Sequence, residues 1–409
     1  MRALLRTTWI QPSSTAFRFE VVISSKRDKK VLEPLFPEEK LELGRAYEYH
    51  SRVELFPFYV LEALLHFGAR AELHETIFRH SPIETTIDGF DVSGWAYNTH
   101  MVVLDMNEKC PLSCPWCYAS PKKSLGFKLD VDSFQKALIR VLRRILRECK
   151  LRKCSFVDVT LAVGGSGDPS SIELSDMEKL LRSIGSTIEE LKHKKLFLNI
   201  AFSTSDPSFV NNDFLRTILD SSPVPPYSTE VSVSYKTLSE RSLIPALKEE
   251  QEYQKLVSEA LKKVIKAGFH ASMQLMLRKK MAIEEVDEAA DIAYKVIQPL
   301  DFEDWEKFKI FLLRYYSVPW FKDFKPPSRN EAVKLTLEIA RSSHAGLLTF
   351  DTCLASQLFE RPLYEVERNR LWRVNLENGS ASRIDGCPRG GICQVSKLSP
   401  QRTSSKENH

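Results

Sequence analysis

Hydrophobic and polar positions along this chain fall into two rhythms. From residue 99 onward, short apolar runs alternate with longer stretches whose apolar residues recur every three to four positions. The runs at 99–106, 156–165, 196–203, 229–235, 269–277 and 308–316 predict strands. The stretches at 130–149, 174–191, 211–219, 252–268, 284–297 and 328–342 predict amphipathic helices, the first opened by an aspartate cap at Asp130. Six strand–helix units in series imply parallel strands with covering helices, an α/β fold. An open sheet and a partial barrel both satisfy that pattern, and spacing alone does not choose between them.

The flanks differ. FRFEVVIS (17–24) alternates like a half-buried strand, and FYVLEALLHFGA (58–69) has helical spacing that ends on a glycine. Residues 1–97 therefore read as an accessory N-terminal domain, and 98–345 as the α/β core. Beyond the core, 347–359 starts strand-like, and LWRVNLENGSASRI (371–384) predicts a hairpin around Asn378-Gly379. The extension runs over 346–396, and the polar tail 397–409 is expected to be disordered.

A length of 409 residues suits a barrel-sized domain with accessory parts. Hydrophobic content of 43% and charge of 27% are ordinary for a soluble globular protein. The formal charge of +4 rests on 58 basic against 54 acidic residues, so it permits a nucleic-acid partner without arguing for one. No apolar run has the length of a membrane span, and the start MRALLRTTWIQPSS has too short an apolar stretch for a signal peptide. The expected location is the cytoplasm, with no membrane partner.

Eight cysteines are too sparse for a disulfide scaffold in such a chain, so their spacing points to metal or catalytic chemistry. Three of them, Cys110, Cys114 and Cys117, are crowded into EKCPLSCPWCYAS, directly after the first strand of the series. Loops at the carboxyl ends of parallel strands build active sites in α/β proteins. Three thiolates hold three corners of an iron–sulfur cube, or three positions on a zinc ion. A structural zinc site would want a fourth cysteine or histidine close by, and none follows Tyr118 within reach of a compact finger. Three ligands leave one metal position open, as catalysis needs.

The stretch C-P-L-S-C-P-W-C-Y resembles the signature of the radical S-adenosylmethionine (radical SAM) superfamily, with an aromatic directly before the third cysteine. The resemblance covers roughly residues 98–345 and implies a partial (β/α)6 barrel. It also implies a [4Fe-4S] cluster on Cys110, Cys114 and Cys117, with S-adenosylmethionine on the open iron. One electron, from a donor of flavodoxin or ferredoxin type, would then release a 5′-deoxyadenosyl radical that removes hydrogen from a substrate. The second strand ends in GGSGDPSS, similar to the family's Gly-Gly-Glu-like stretch that receives the methionine amino group. Gly164 and Gly165 match it, Ser166 replaces the acidic residue, and Asp168 stands two positions on. In the fourth strand, Ser232 matches the serine of the family's Ser-hydrophobic-Asp stretch and Ser234 departs from the aspartate. Arg241 is the basic residue the resemblance sets against the methionine carboxylate. Gln274, Arg278 and Arg314 stand where the family contacts adenine and ribose.

The order cysteine, hairpin, cysteine at Cys353, Cys387 and Cys393 resembles the auxiliary-cluster domains called SPASM and twitch, and implies a second iron–sulfur cluster. Three cysteines are fewer than a fully ligated cluster needs. A fourth ligand would come from elsewhere in the protein, from water or from substrate, and Asp351 and Asp385 are flanking oxygen donors. Ordinary buried thiols, or one zinc, remain open alternatives. Cys149 and Cys154 would lie at the other end of the barrel, in a structural role or a labile disulfide. Tyr315 and Tyr316 are candidates for the substrate cavity, and Trp320 is expected to pack. The auxiliary domain favours a peptide or protein substrate, with a leader peptide recruited by strand addition to the N-terminal part. The alternatives are modification of tRNA or of a nucleotide-derived small molecule, and, in another class, a non-catalytic zinc or iron–sulfur binding module.

Overall fold

The computed structural model describes residues 2–4, 16–22, 46–52, 99–106, 110–117, 127–151, 157–164, 167–192, 196–247, 252–300, 304, 307–343, 348–350, 354, 357 and 371–383. The predicted helix 58–69 and the tail lie outside them. Near the N-terminus, β1 (Arg2–Leu4), β2 (Ala16–Val22) and β3 (Ala46–Arg52) form an antiparallel sheet in the order β1-β2-β3. The strand read at 17–24 is β2.

The six expected units are all present. They are β4 (Thr99–Asp105) with α1 (Val131–Leu151), β5 (Val157–Gly164) with α2 (Leu174–Leu191), and β6 (Leu196–Thr204) with α3 (Asn212–Ser221). After β7 (Thr229–Ser234) a short helix α4 (Leu238–Arg241) precedes the covering helix α5 (Tyr253–Lys266). The last two are β8 (His270–Leu277) with α6 (Ile283–Ile297), and β9 (Phe308–Arg314) with α7 (Arg329–Ser343). These strands pair in parallel and in chain order.

Two more parallel strands extend the arc. β10 (Leu348–Phe350) adds beside β9, and β11 (Leu371–Asn375) returns to pair with β4. β12 (Ala381–Arg383) closes the hairpin antiparallel to β11. The nine strands thus run β10-β9-β8-β7-β6-β5-β4-β11-β12, eight of them parallel, which is an open α/β barrel. The predicted hairpin continues the barrel sheet past its first strand.

Alternation sorts the two faces. On β6, Leu198, Ile200, Phe202 and Thr204 are buried beneath helices, while Asn199, Ala201 and Ser203 are partly open on the inner face. On α1, Phe134, Leu138, Val141, Leu142 and Ile145 recur at helical spacing and are buried. Asp130 caps that helix by accepting from the Ser133 amide at 3.0 Å.

The hairpin is tied to β4 and α1. Leu376 N donates to Asp105 O, and Asp130 N donates to Leu376 O. Arg383 pairs with Glu148 at 2.6 Å, and the guanidinium groups of Arg144 and Arg383 lie 5.1 and 4.9 Å from the Trp372 ring. At the turn Gly379 has φ +64°, and a β-carbon there would stand 2.3 Å from Ser133 O. Gly379→Ala is therefore expected to cost at least about 1–3 kcal/mol. A lower midpoint in urea unfolding, compared with wild type, checks it.

Candidate active site at the carboxyl ends of the strands

The cysteine loop leaves β4 at the strand's carboxyl end. Ser113 takes a left-handed conformation (φ 49°), and Cys117 N donates to Cys114 O at 3.0 Å, so Cys114 and Cys117 share one turn. Cys114 is buried, whereas Cys110 and Cys117 are partly open. Burial pushes the Cys110 thiol up to about 11, aided by the nearby Asp168 charge. Burial pushes Cys114 up to about 12, against the pull of Lys236. The Cys117 charge acts on both thiols, and that of Cys110 acts on Cys114 as well. Assembly of a metal group on them must therefore release protons.

The aromatic of the motif anchors the loop. Trp116 is buried, with its ring 5.9 Å from Phe321 and 5.1 Å from Phe324. Both partners follow β9, so the loop reaches across the barrel mouth from the first core strand to the sixth.

At the end of β5, Gly164 has φ +130°, a conformation essentially restricted to glycine. Its carbonyl accepts from Gly167 N at 2.6 Å. Asp168, 3% exposed, spends both carboxylate oxygens inside the protein. Oδ1 accepts from Thr204 Oγ1 (2.7 Å) and Ser170 N (3.0 Å), and Oδ2 accepts from Ser205 N (2.6 Å). This aspartate braces the glycine turn against the end of β6, with its charge beside Cys110. Gly165 and Ser166 lie outside the described residues.

Ser232, Ser234 and Gln274 come together on the inner face of adjacent strands. Ser234 and Gln274 are register partners, and Ser203 Oγ donates to Gln274 Oε1 at 3.1 Å. Ser232 Oγ lies 2.6 Å from Ser272 Oγ and donates to Glu230, which pairs with Lys309 at 3.0 Å. The inner wall here is small and polar, suited to a polar ligand.

The three arginines are engaged elsewhere. Arg241 pairs with Glu288 at 3.0 Å, and its guanidinium lies 5.1 Å from the Tyr253 ring, among α4, α5 and α6. That pair uses Nη2, while Nη1 is buried without a hydrogen-bond partner and remains a donor for a carboxylate. Arg278 pairs with Glu285 at 2.5 Å, and Arg314 Nε donates to Gln357 at 2.9 Å. Sequence reasoning missed Lys236, the basic residue directly after SVSY and nearer to β7 than Arg241. Lys236 is buried, its Nζ donates to Ser234 Oγ at 2.6 Å, and its charge acts on both Cys114 and the buried Glu240.

The fold is the open α/β barrel that the radical SAM resemblance implies. The cysteine loop follows β4, the Gly164 turn ends β5, and Ser232 and Ser234 lie on β7, all toward the carboxyl ends of the parallel strands.

No protein-family model matches the sequence, and no curated protein matches it. Among solved structures, SuiB of Streptococcus suis bound to S-adenosylmethionine is similar at 14% identity and a TM-score of 0.46, over 74% of this chain. The chain spans 62% of the length of SuiB in that structure. SuiB bound to its precursor peptide SuiA is similar at 14% identity and a TM-score of 0.45, over 94% of this chain and 84% of that one. The chemistry rests on the residues themselves.

Three thiols on one loop fit an iron–sulfur cube by donor type. Among the described residues no three of His, Cys, Asp and Glu converge on a single ion, and a cube asks only for one thiolate per iron corner. Cys353, Cys387 and Cys393 lie outside the described residues, as do Asp351, Asp385 and Cys154. Cys149 lies at the opposite end of the barrel, its Sγ 3.4 Å from His100 Nε2. Tyr315 is buried against Phe324, and Tyr316 is buried as well. Trp320, expected to pack, is 47% exposed, because its neighbour Phe321 takes the inward position beneath Trp116. No helix among the described residues is long and apolar enough to cross a membrane.

Proposed function

We propose that this chain is a radical SAM enzyme, with a [4Fe-4S] cluster on Cys110, Cys114 and Cys117. The observation that carries this reading is the three-cysteine loop at the carboxyl end of the first core strand, set beside the Gly164 turn and the Ser232–Gln274 wall. When bound, the cluster and S-adenosylmethionine supply the electron and the 5′-deoxyadenosyl group for hydrogen abstraction. The protein's share is to bind, orient and exclude water. The backbone of the Gly164 turn would receive the methionine amino group, Lys236 would offer its ammonium to the methionine carboxylate, and Ser234 and Gln274 would line the space beside it. Trp116, buried between Cys114 and Cys117, covers one side of the loop.

For the substrate we propose a peptide or protein. The support is the order of cysteines around the β11–β12 hairpin, together with an N-terminal sheet in which β3 pairs only with β2 among the described residues. A gel shift with bulk tRNA that weakens steeply with salt would instead favour the nucleic-acid alternative.

The test is anaerobic reconstitution, with iron and sulfide analysis, electron paramagnetic resonance, and chromatography of 5′-deoxyadenosine formed with a strong reductant. Cluster signal with S-adenosylmethionine cleavage supports the reading, and a wild type that takes up no iron rejects it. Lys236→Met is expected to weaken S-adenosylmethionine binding by about ten-fold or more while leaving iron content unchanged, since a charge-assisted contact is lost. Equilibrium binding to the reconstituted protein checks it.

A further inference from the structure

The cysteine loop is held by more than its own turn. Trp116 rests on Phe324 (5.1 Å) and Phe321 (5.9 Å), which lie 5.1 Å from each other, and Tyr315 closes edge-on against Phe324 at 5.9 Å. Beneath Phe324 the Arg278 guanidinium carbon lies 4.7 Å from the ring centroid. That guanidinium is itself fixed by Glu285 (2.5 Å), by Ser239 Oγ and by Thr237 Oγ1 (3.4 Å). Glu285 in turn accepts from Ser239 N and from Ala282 N, both at 3.2 Å. Loops from β4, β7, β8 and β9 are therefore joined in one contact chain across the mouth.

We propose that Phe324, held by Arg278, is a positioning residue that sets the cysteine loop in its place through Trp116. The inference rests on the radical SAM reading for its consequence, a fixed and shielded cluster. Its physical content concerns the loop alone. A cation at an aromatic face and two tilted ring contacts act only in a narrow set of orientations, so the chain specifies where Trp116 sits. Trp116 lies between Cys114 and Cys117, so its position sets both. Arginine suits the lower end of the brace because its planar fork can stack on a ring while bonding a carboxylate, which lysine cannot reproduce.

The experiment compares wild type with Phe324→Ala, Phe324→Leu and Phe324→Tyr, as full-length protein. First, alkylation by iodoacetamide is followed at each cysteine in the metal-free protein. Phe324→Ala is expected to label Cys114 about ten-fold faster with Cys149, buried at the far end, unchanged as an internal control, and Phe324→Tyr to restore the slow rate. Second, the reconstituted reduced proteins are compared by electron paramagnetic resonance. Phe324→Ala is expected to keep its iron but lose the spectral change that S-adenosylmethionine causes in wild type, and Phe324→Tyr to recover it. An unchanged Cys114 rate in Phe324→Ala overturns the proposal. So does a joint rise at Cys114 and Cys149 in both Phe324→Ala and the volume-sparing Phe324→Leu, which would mark a general loosening. A wild type that binds no iron defeats the cluster reading, whereas the labelling result stands or falls without it.

Discussion

Cys114→Ala protein is expected to form no 5′-deoxyadenosine above background and to lose the iron of the barrel cluster. The same outcome is expected for Cys110→Ala and Cys117→Ala, because in the proposed cluster each thiolate would hold a different corner and the fourth iron would have no protein ligand to spare. Cys114 is the sharpest case. It is buried, it shares the turn with Cys117, and the Lys236 charge acts on it. Cys149→Ala supplies the control, since that thiol packs beside His100 at the far end of the barrel and its loss should leave iron and cleavage unchanged. The variant lacking all three loop cysteines carries a second question. If it still holds about one cube's worth of iron, an auxiliary cluster exists and Cys353, Cys387 and Cys393 are its candidate ligands. If it loses all iron, those cysteines serve another purpose and the peptide reading loses its main support. Iron and sulfide analysis of the five proteins side by side decides between these outcomes.

The sequence made the core legible because each core element carries its own period. β6 alternates and α1 repeats every three to four residues, and both are found within two residues of where the pattern sets them. The Asn378-Gly379 turn was legible for a similar local reason, since few residues accept the φ of +64° found at Gly379. Where the hairpin goes was not legible. Its pairing with β4 joins residues more than 250 positions apart, and no local pattern encodes that neighbour. Side-chain partners follow the same division. Arg241, Arg278 and Arg314 look alike in sequence, as basic residues near strand ends, yet Arg241 and Arg278 pair with Glu288 and Glu285 of α6 and Arg314 donates to Gln357. Lys236 was within reach, being the first basic residue after the serine stretch of β7, but its burial beside Cys114 emerges only when the β4 and β7 loops meet.

Asp168 brings both levels together, and its replacement is the largest stability effect expected outside the hairpin. Sequence similarity set it near the methionine amino group, as the acidic residue closest to Gly164-Gly165. In the fold its carboxylate accepts from Thr204 Oγ1, Ser170 N and Ser205 N, so both oxygens are engaged by the protein. Asp168→Ala would strand the part-buried Ser170 and Ser205 amides and leave Thr204 Oγ1 only its 3.4 Å contact to Asp206 O, so a loss of about 2 kcal/mol or more is expected. Asp168→Asn keeps one acceptor oxygen but turns an amide N–H₂ toward the Ser205 or Ser170 N–H, and should recover only part of that loss. The two roles separate in the order of effects. A brace predicts that urea unfolding midpoints fall from wild type to Asn to Ala, and that S-adenosylmethionine affinity falls in the same order because the Gly164 turn loosens. A direct contact to the methionine amino group predicts instead a large affinity loss in Asp168→Asn with an unfolding midpoint near wild type. The hydrogen bonds favour the first, since both oxygens already accept from the protein and the residue is 3% exposed, which leaves a further donor little access.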